Sequence, residues 1–159
     1  MKAAVVMGSK SDLEAVQPAV NLLKKFGVEA EVRVLSAHRT PDEAAEFAKG
    51  LRGRGVEVAI AAAGKSAHLA GVVAAFTTLP VIALPLKSSF MDGLDSLLSM
   101  VNMPTGVPVA CVAVGGGENA GLLALQILGV KYKEIAQKLE AHKKEMRENV
   151  LKDDKSING

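Results

Sequence analysis

Residues 56–76 read VEVAIAAAGKSAHLAGVVAAF. The run Val56–Ala62 has the length and composition of a strand covered on both faces. A stretch from about Ala67 to Thr78 predicts a small-residue helix, and Gly64-Lys65-Ser66 lies between the two. Strand, Gly-Lys-Ser and helix is the context of a phosphate-cradling loop. The full signature also needs a glycine five residues before Gly64, and Ala59 stands there, inside the strand. The loop is too short to wrap a triphosphate, and no strand ends in an aspartate placed to hold magnesium. An ATP-binding module therefore falls behind the reading in which small residues let some other ligand approach the backbone.

The same strand–helix unit recurs on either side. Ala3–Met7 predicts the first strand, and Ser11–Phe26 a helix opened by a capping box of Ser11 and Glu14 and ended by Gly27. Glu29–Leu35 predicts the second strand. Thr40-Pro41-Asp42-Glu43 then starts a helix to about Arg54, with Thr40 as its cap. Pro80–Leu84 is the fourth strand, Asp92 caps a helix to about Asn102, and Val107–Val114 is the fifth strand. Asn119–Leu128 and about Lys131–Lys152 are the last helices, and Asp153–Gly159 is a frayed tail. Alternation of this kind builds parallel βαβ units with right-handed crossovers. The expected fold is α/β: a three-layer, doubly wound parallel sheet, flavodoxin-like, of order 2-1-3-4-5, with an extra C-terminal helix. Residues 1–159 make a single domain, with a core over about 3–130. The last helix packs on its own domain or on a neighbouring subunit.

Composition narrows the function classes. At 159 residues the chain can bury about 70% of its unfolded surface without a disulfide or metal staple. Cys111, the lone cysteine, lies in an apolar run and reads as a small buried residue. Net charge is +2 with both signs dispersed, and aromatics are 3% with no Trp, which argues against nucleic acid. No apolar run approaches the ~20 residues of a membrane span. Met1-Lys2 runs straight into a strand rather than a secretion signal, so a cytoplasmic protein is expected. The 3 His and scattered acids show no metal-ligand spacing, so no metal is expected. His142 reads as solvated on a charged helix face, and Gly115-Gly116-Gly117 as a flexible turn.

In an open parallel sheet, ligands bind beyond the carboxyl ends of the strands at the switch point. Three loops meet there. The first, Gly8-Ser9-Lys10-Ser11-Asp12, offers hydroxyls and N–H groups at a helix start, which favours phosphate, and Asp12 suits sugar hydroxyls. A plain helix cap is its bland reading. In the second, Ser36-Ala37-His38-Arg39-Thr40, His38 suits proton transfer and Arg39 can grip phosphate with two prongs. A turn-bonding histidine beside a solvated arginine is the alternative. In the third, His68 stands at a helix start whose dipole favours its neutral form, or it simply anchors the loop. Together the loops point to a phosphorylated sugar.

The stretches MGSKSD, SAHRTP and AHLAG resemble the N5-carboxyaminoimidazole ribonucleotide mutase family of bacterial purine synthesis, class I of the aminoimidazole ribonucleotide carboxylases. LPVIALPLKSSFMDGLDSLLSMVNMPTGVPVACVAV and NAGLLALQIL extend the resemblance over about residues 3–130. It implies an isomerase without ATP, metal or organic cofactor. Its substrate is released as aminoimidazole ribonucleotide and carbon dioxide, then carboxylated at the ring carbon. It also implies that Ser9, Asp12 and Arg39 bind the ribonucleotide, with Ser11 and Ser36 helping at the phosphate. His38 would move the proton between nitrogen and ring carbon. Gly64, Lys65, Ser66, Ala67 and Leu69 would wall the carbon dioxide pocket, with His68 lining it. The family is octameric, so Met103-Pro104 and the last helix would serve a neighbour. One departure stands out: the family's third loop is similar to AGGAAHLPG, whereas here Lys65-Ser66 replaces Gly-Ala and Ala70 replaces Pro. A basic residue followed by Ser resembles the direct carboxylases, which take carbon dioxide onto aminoimidazole ribonucleotide. That activity, and a non-catalytic phosphosugar-binding module, are the alternatives.

Overall fold

The computed structural model describes residues 1–158. A parallel sheet of five strands has the order β2-β1-β3-β4-β5. The strands are β1 Lys2–Met7, β2 Glu29–Val34, β3 Val58–Ala63, β4 Val81–Pro85 and β5 Ala110–Cys111. The helices are α1 Leu13–Lys25, α2 Pro41–Gly50, α3 Leu69–Ala75, α4 Leu94–Val101, α5 Gly117–Gly129 and α6 Lys133–Asn158. The doubly wound, flavodoxin-like order expected from the sequence is the one observed.

Strand side chains alternate between faces, and here the two faces differ in bulk. Val5, Met7, Ile60, Ile82 and Leu84 join a core with α1, α5 and the start of α6. Ala4, Ala59, Ala61 and Ala83 line the other face, under α2 and α3. The alanine face lets a helix as short as α3 sit close, while the larger face fills the space beneath the longer helices. All of β1 after Lys2, and all of β3 and β4, are buried, whereas Val32 and Val34 of edge strand β2 are partly open.

Several boundaries depart from expectation. The fifth strand is two residues rather than Val107–Val114. Pro108 has no N–H for a ladder, and beyond Cys111 the chain keeps to β4 through separate bonds, Val112 N to Ala83 O at 3.1 Å and Gly115 N to Pro85 O at 2.9 Å, rather than a regular ladder. Ser11 does not open a capping box. The chain enters α1 through a 3-10 turn, Lys10–Asp12, so the cap falls to Ser9, whose hydroxyl accepts from the Ser11 N–H at 3.4 Å. Thr40 stands at the N-cap of α2, as expected, but its side chain makes no cap bond. Its hydroxyl turns back to accept from Ser36 N at 2.8 Å and donate to Ser36 O at 3.1 Å, while Pro41 removes one orphan N–H. Asp92 does not cap α4; it lies in the left-handed region at φ 53°. The predicted tail is helical through Asn158, and Gly159 lies outside the described residues.

Three side-chain placements also differ. Gly117, at the end of the Gly115–Gly117 segment, is tightly packed rather than loose: a Cβ on it would meet Ala15 O at 2.5 Å, whereas Gly115 is open. His142 is half-buried, with its ring edge-on to Phe26 at 6.3 Å, because the packed face of α6 extends that far. Cys111 is half-buried on the edge strand, and burial pushes its thiol pKa up.

Candidate active site

Parallel register brings the carboxyl ends of the central strands level. Met7 is opposite both Val34 and Ala62, and the ladder continues one step into the loops through Gly8 N to Ala62 O (3.1 Å) and Leu35 N to Met7 O (2.9 Å). The three loops therefore start from one plane and enclose a cleft of about 620 Å³. Ser9, Ser11 and Asp12 line it from the first loop, Ser36, His38 and Arg39 from the second, and Gly64, Lys65, Ser66, His68 and Leu69 from the third. Ala67 does not: it is fully buried among the alanines beneath, which anchors the loop between two outward residues, Ser66 and His68. Lys87, which the sequence reading passed over, also lines the cleft. It follows β4, so the rule of carboxyl ends reaches it when applied one strand further.

The first two loops are tied together. Arg39 donates from Nη2 to Gly8 O at 2.7 Å and from Nε to Ser36 Oγ at 3.3 Å. Ser36 Oγ also accepts the backbone N–H groups of His38 (3.4 Å) and Arg39 (3.2 Å), so this hydroxyl organises the turn that presents both side chains. Ser11 Oγ donates to Ser9 Oγ at 2.9 Å and lies 3.3 Å from Asp12 Oδ1. The result is a cluster of hydroxyls, one guanidinium and one carboxylate within reach of a single ligand.

His38 and His68, 30 residues apart in sequence, meet through Nε2 and Nδ1 at 2.8 Å. Their rings are nearly perpendicular, at 81°, with centroids 4.9 Å apart. His68 occupies the N-cap of α3, but its side chain makes no cap bond and reaches His38 instead. Gly64 lies beside the exit of the fourth strand, where a Cβ would sit in ordinary contact, 3.5 Å from Lys87 O. Lys65 then takes φ 57°, a left-handed conformation that glycine adopts freely. Met103 lies over α3 of its own chain, with its methyl 3.2 Å from where a Gly71 Cβ would be. Among the described residues, no group of three metal-ligating side chains converges, and no helix is long and apolar enough to cross a membrane.

Comparison with known proteins identifies the chain's relatives. The family model for AIR carboxylase matches residues 2–149. The chain is 56% identical over 150 residues to the N5-carboxyaminoimidazole ribonucleotide mutase of Saccharolobus solfataricus, covering 94% of this chain and 95% of that one. It is 57% identical over 136 residues to the protein of the same name from Aquifex aeolicus, covering 86% and 81%. The crystal structure of Treponema denticola PurE superposes with a TM-score of 0.87 at 30% identity, over 98% of this chain and 97% of that one. The chain belongs to the AIR carboxylase family.

Proposed function

We propose that the chain is an isomerase of de novo purine synthesis, converting N5-carboxyaminoimidazole ribonucleotide into 4-carboxy-5-aminoimidazole ribonucleotide. The observation that carries this reading is one cleft joining the Ser9, Ser11, Ser36 and Arg39 cluster to a pair of imidazoles, in a chain so close to the mutases. The serines and Arg39 suit the phosphate, and Asp12 suits the ribose hydroxyls. The reaction breaks the bond between the carboxylate carbon and the exocyclic nitrogen, and the nitrogen takes a proton. The ring carbon then attacks the released carbon dioxide and loses its own proton. His38 supplies the first proton and removes the second. Gly64, Lys65, Ser66 and Leu69 wall the space in which carbon dioxide waits, with His68 beside it.

The Lys65-Ser66 pair on the cleft wall favours one second reading, direct carboxylation of aminoimidazole ribonucleotide. Incubation of purified protein with each ribonucleotide, with and without bicarbonate, separates the two. The N5-carboxy compound should convert without added bicarbonate. Conversion of aminoimidazole ribonucleotide at low bicarbonate, with the N5-carboxy compound untouched, overturns the isomerase assignment. His38→Asn should lower turnover by about 10²–10⁴-fold while ligand binding changes little; unchanged turnover would favour a phosphosugar-binding module.

The reading extends to a homo-octamer in the cytoplasm. Support for assembly comes from α6, where Met146, Val150 and Ile157 are 51%, 67% and 82% exposed.

A further inference from the structure

The geometry points to Nδ1 of His38 as the nitrogen that exchanges protons with the substrate, and to His68 as the positioning residue that holds the opposite nitrogen. This rests on the isomerase reading above. His38 Nε2 is engaged by His68 Nδ1 at 2.8 Å, which leaves Nδ1 as the only ring nitrogen of His38 free to meet a ligand in the cleft. One contact between two nitrogens holds one proton, so its direction matters. His38 must pass through its doubly protonated form, with N–H on both nitrogens. If His68 Nδ1 were the donor, that form would set two N–H groups against each other at 2.8 Å. With His38 Nε2–H donating and His68 Nδ1 accepting, the same contact serves both protonation states without ring rotation.

The proton cycle then closes on one atom. His38 imidazolium gives the Nδ1 proton to the exocyclic nitrogen as its bond to the carboxylate carbon breaks and carbon dioxide leaves. Neutral His38, bare at Nδ1 and still protonated at Nε2, next takes the proton that the ring carbon sheds on forming its new bond to carbon dioxide. His38 returns to imidazolium, and no proton enters or leaves overall. His68 stays neutral, protonated on Nε2. Its backbone mount is firm: the flanking Ala67 and Leu69 are buried, and His68 N donates to Ser66 O at 2.9 Å. A perpendicular ring at 81° aims the acceptor lone pair of His68 at the edge of His38 rather than stacking on it.

Two readouts test the assignment. Nitrogen NMR of the ligand-free protein should show neutral His38 held wholly in the tautomer protonated on Nε2 and bare on Nδ1, with the Nδ1–H tautomer appearing beside it in His68→Leu. The opposite tautomer, or no change on substitution, overturns the assignment whatever the enzyme's activity. Kinetically, His68→Leu should lower kcat by about 10–100-fold, with KM within about threefold, and shift the pH limb of His38 downward. His68→Asn retains an acceptor oxygen and should restore most of the loss. A kcat loss shared equally by both variants, with an unmoved pH limb, overturns the positioning role. Failure of the unsubstituted protein to isomerise the N5-carboxy compound instead counts against the functional reading, and the NMR result still decides the tautomer.

Discussion

Lys65 holds a left-handed backbone, φ 57°, on the cleft wall, where a residue other than glycine carries about 1–3 kcal/mol of strain. Glycine there would lose more chain entropy on folding, which offsets about 0.5–1 kcal/mol of the relief. Lys65→Gly should therefore raise the free energy of unfolding by roughly 1 kcal/mol, read from the urea midpoint. The same change removes an ammonium from the cleft proposed to take a phosphorylated substrate, so KM should rise. A lower midpoint would mean that Lys65 stabilises the loop rather than straining it. Single positions differed in how far they could be read from sequence. His38, Arg39 and the serines were legible because a strand end is a short, regular address. The bond between His38 and His68 was not, because it depends on the rotamers of two side chains brought together only by the sheet. Ala67 was assigned to the ligand because loop residues look alike in sequence, whereas burial distinguishes it from Ser66 and His68 on either side.

Between elements, α1 and α5 approach closely through glycines. A Cβ on Gly117 would meet Ala15 O at 2.5 Å, and backbone cannot yield as a side chain can. Gly117→Ala should cost about 1–3 kcal/mol. Gly53→Ala, on the 3-10 turn after α2 with nothing within 4 Å, should be neutral or stabilising by up to about 1 kcal/mol. Equal urea midpoints for the two variants would refute this account of the α1–α5 contact. At the other end of the sheet, Glu57 clasps the turn into α6, accepting from Lys131 Nζ at 2.9 Å and from Tyr132 Oη at 2.8 Å. Burial pushes the Glu57 carboxyl up, but the bonds from Lys131 and Tyr132 outweigh it, and the net position is below its ordinary 4.5. A depressed carboxyl stabilises the fold above its unfolded value and loses that contribution as pH falls through the folded one. Glu57→Gln should thus be less stable than the parent at neutral pH, with the gap closing as pH falls below about 4.5. A gap that stays constant with pH would remove the charge from the explanation. Neither feature was legible in sequence. Gly115–Gly117 reads as a flexible turn until α1 is placed against it, and Glu57 reads as part of a strand.

At the scale of the molecule, sheet order was legible because unbroken apolar runs such as Val58–Ala63 admit few places in a parallel sheet. The edge was not, because β5 keeps an apolar run in sequence while Pro108 has no N–H to offer and the regular ladder covers only Ala110–Cys111. The last helix shows the same limit from the other side. Its polar tail reads as frayed, yet α6 runs 26 residues, about 39 Å at ~1.5 Å per residue. Ile135 and Leu139 pack on the body, and steps of seven and four residues carry the same stripe on to Met146, Val150 and Ile157. A stripe that begins buried and continues exposed fits a surface completed by a second copy of the chain, as the proposed octamer requires. Val150→Glu combined with Ile157→Glu places two charges on that continuation and touches nothing in the described core. The pair should lower the assembled mass measured by light scattering while far-ultraviolet circular dichroism keeps its helical signal. An unchanged mass would take α6 out of the assembly and leave the octamer to be held by other surfaces.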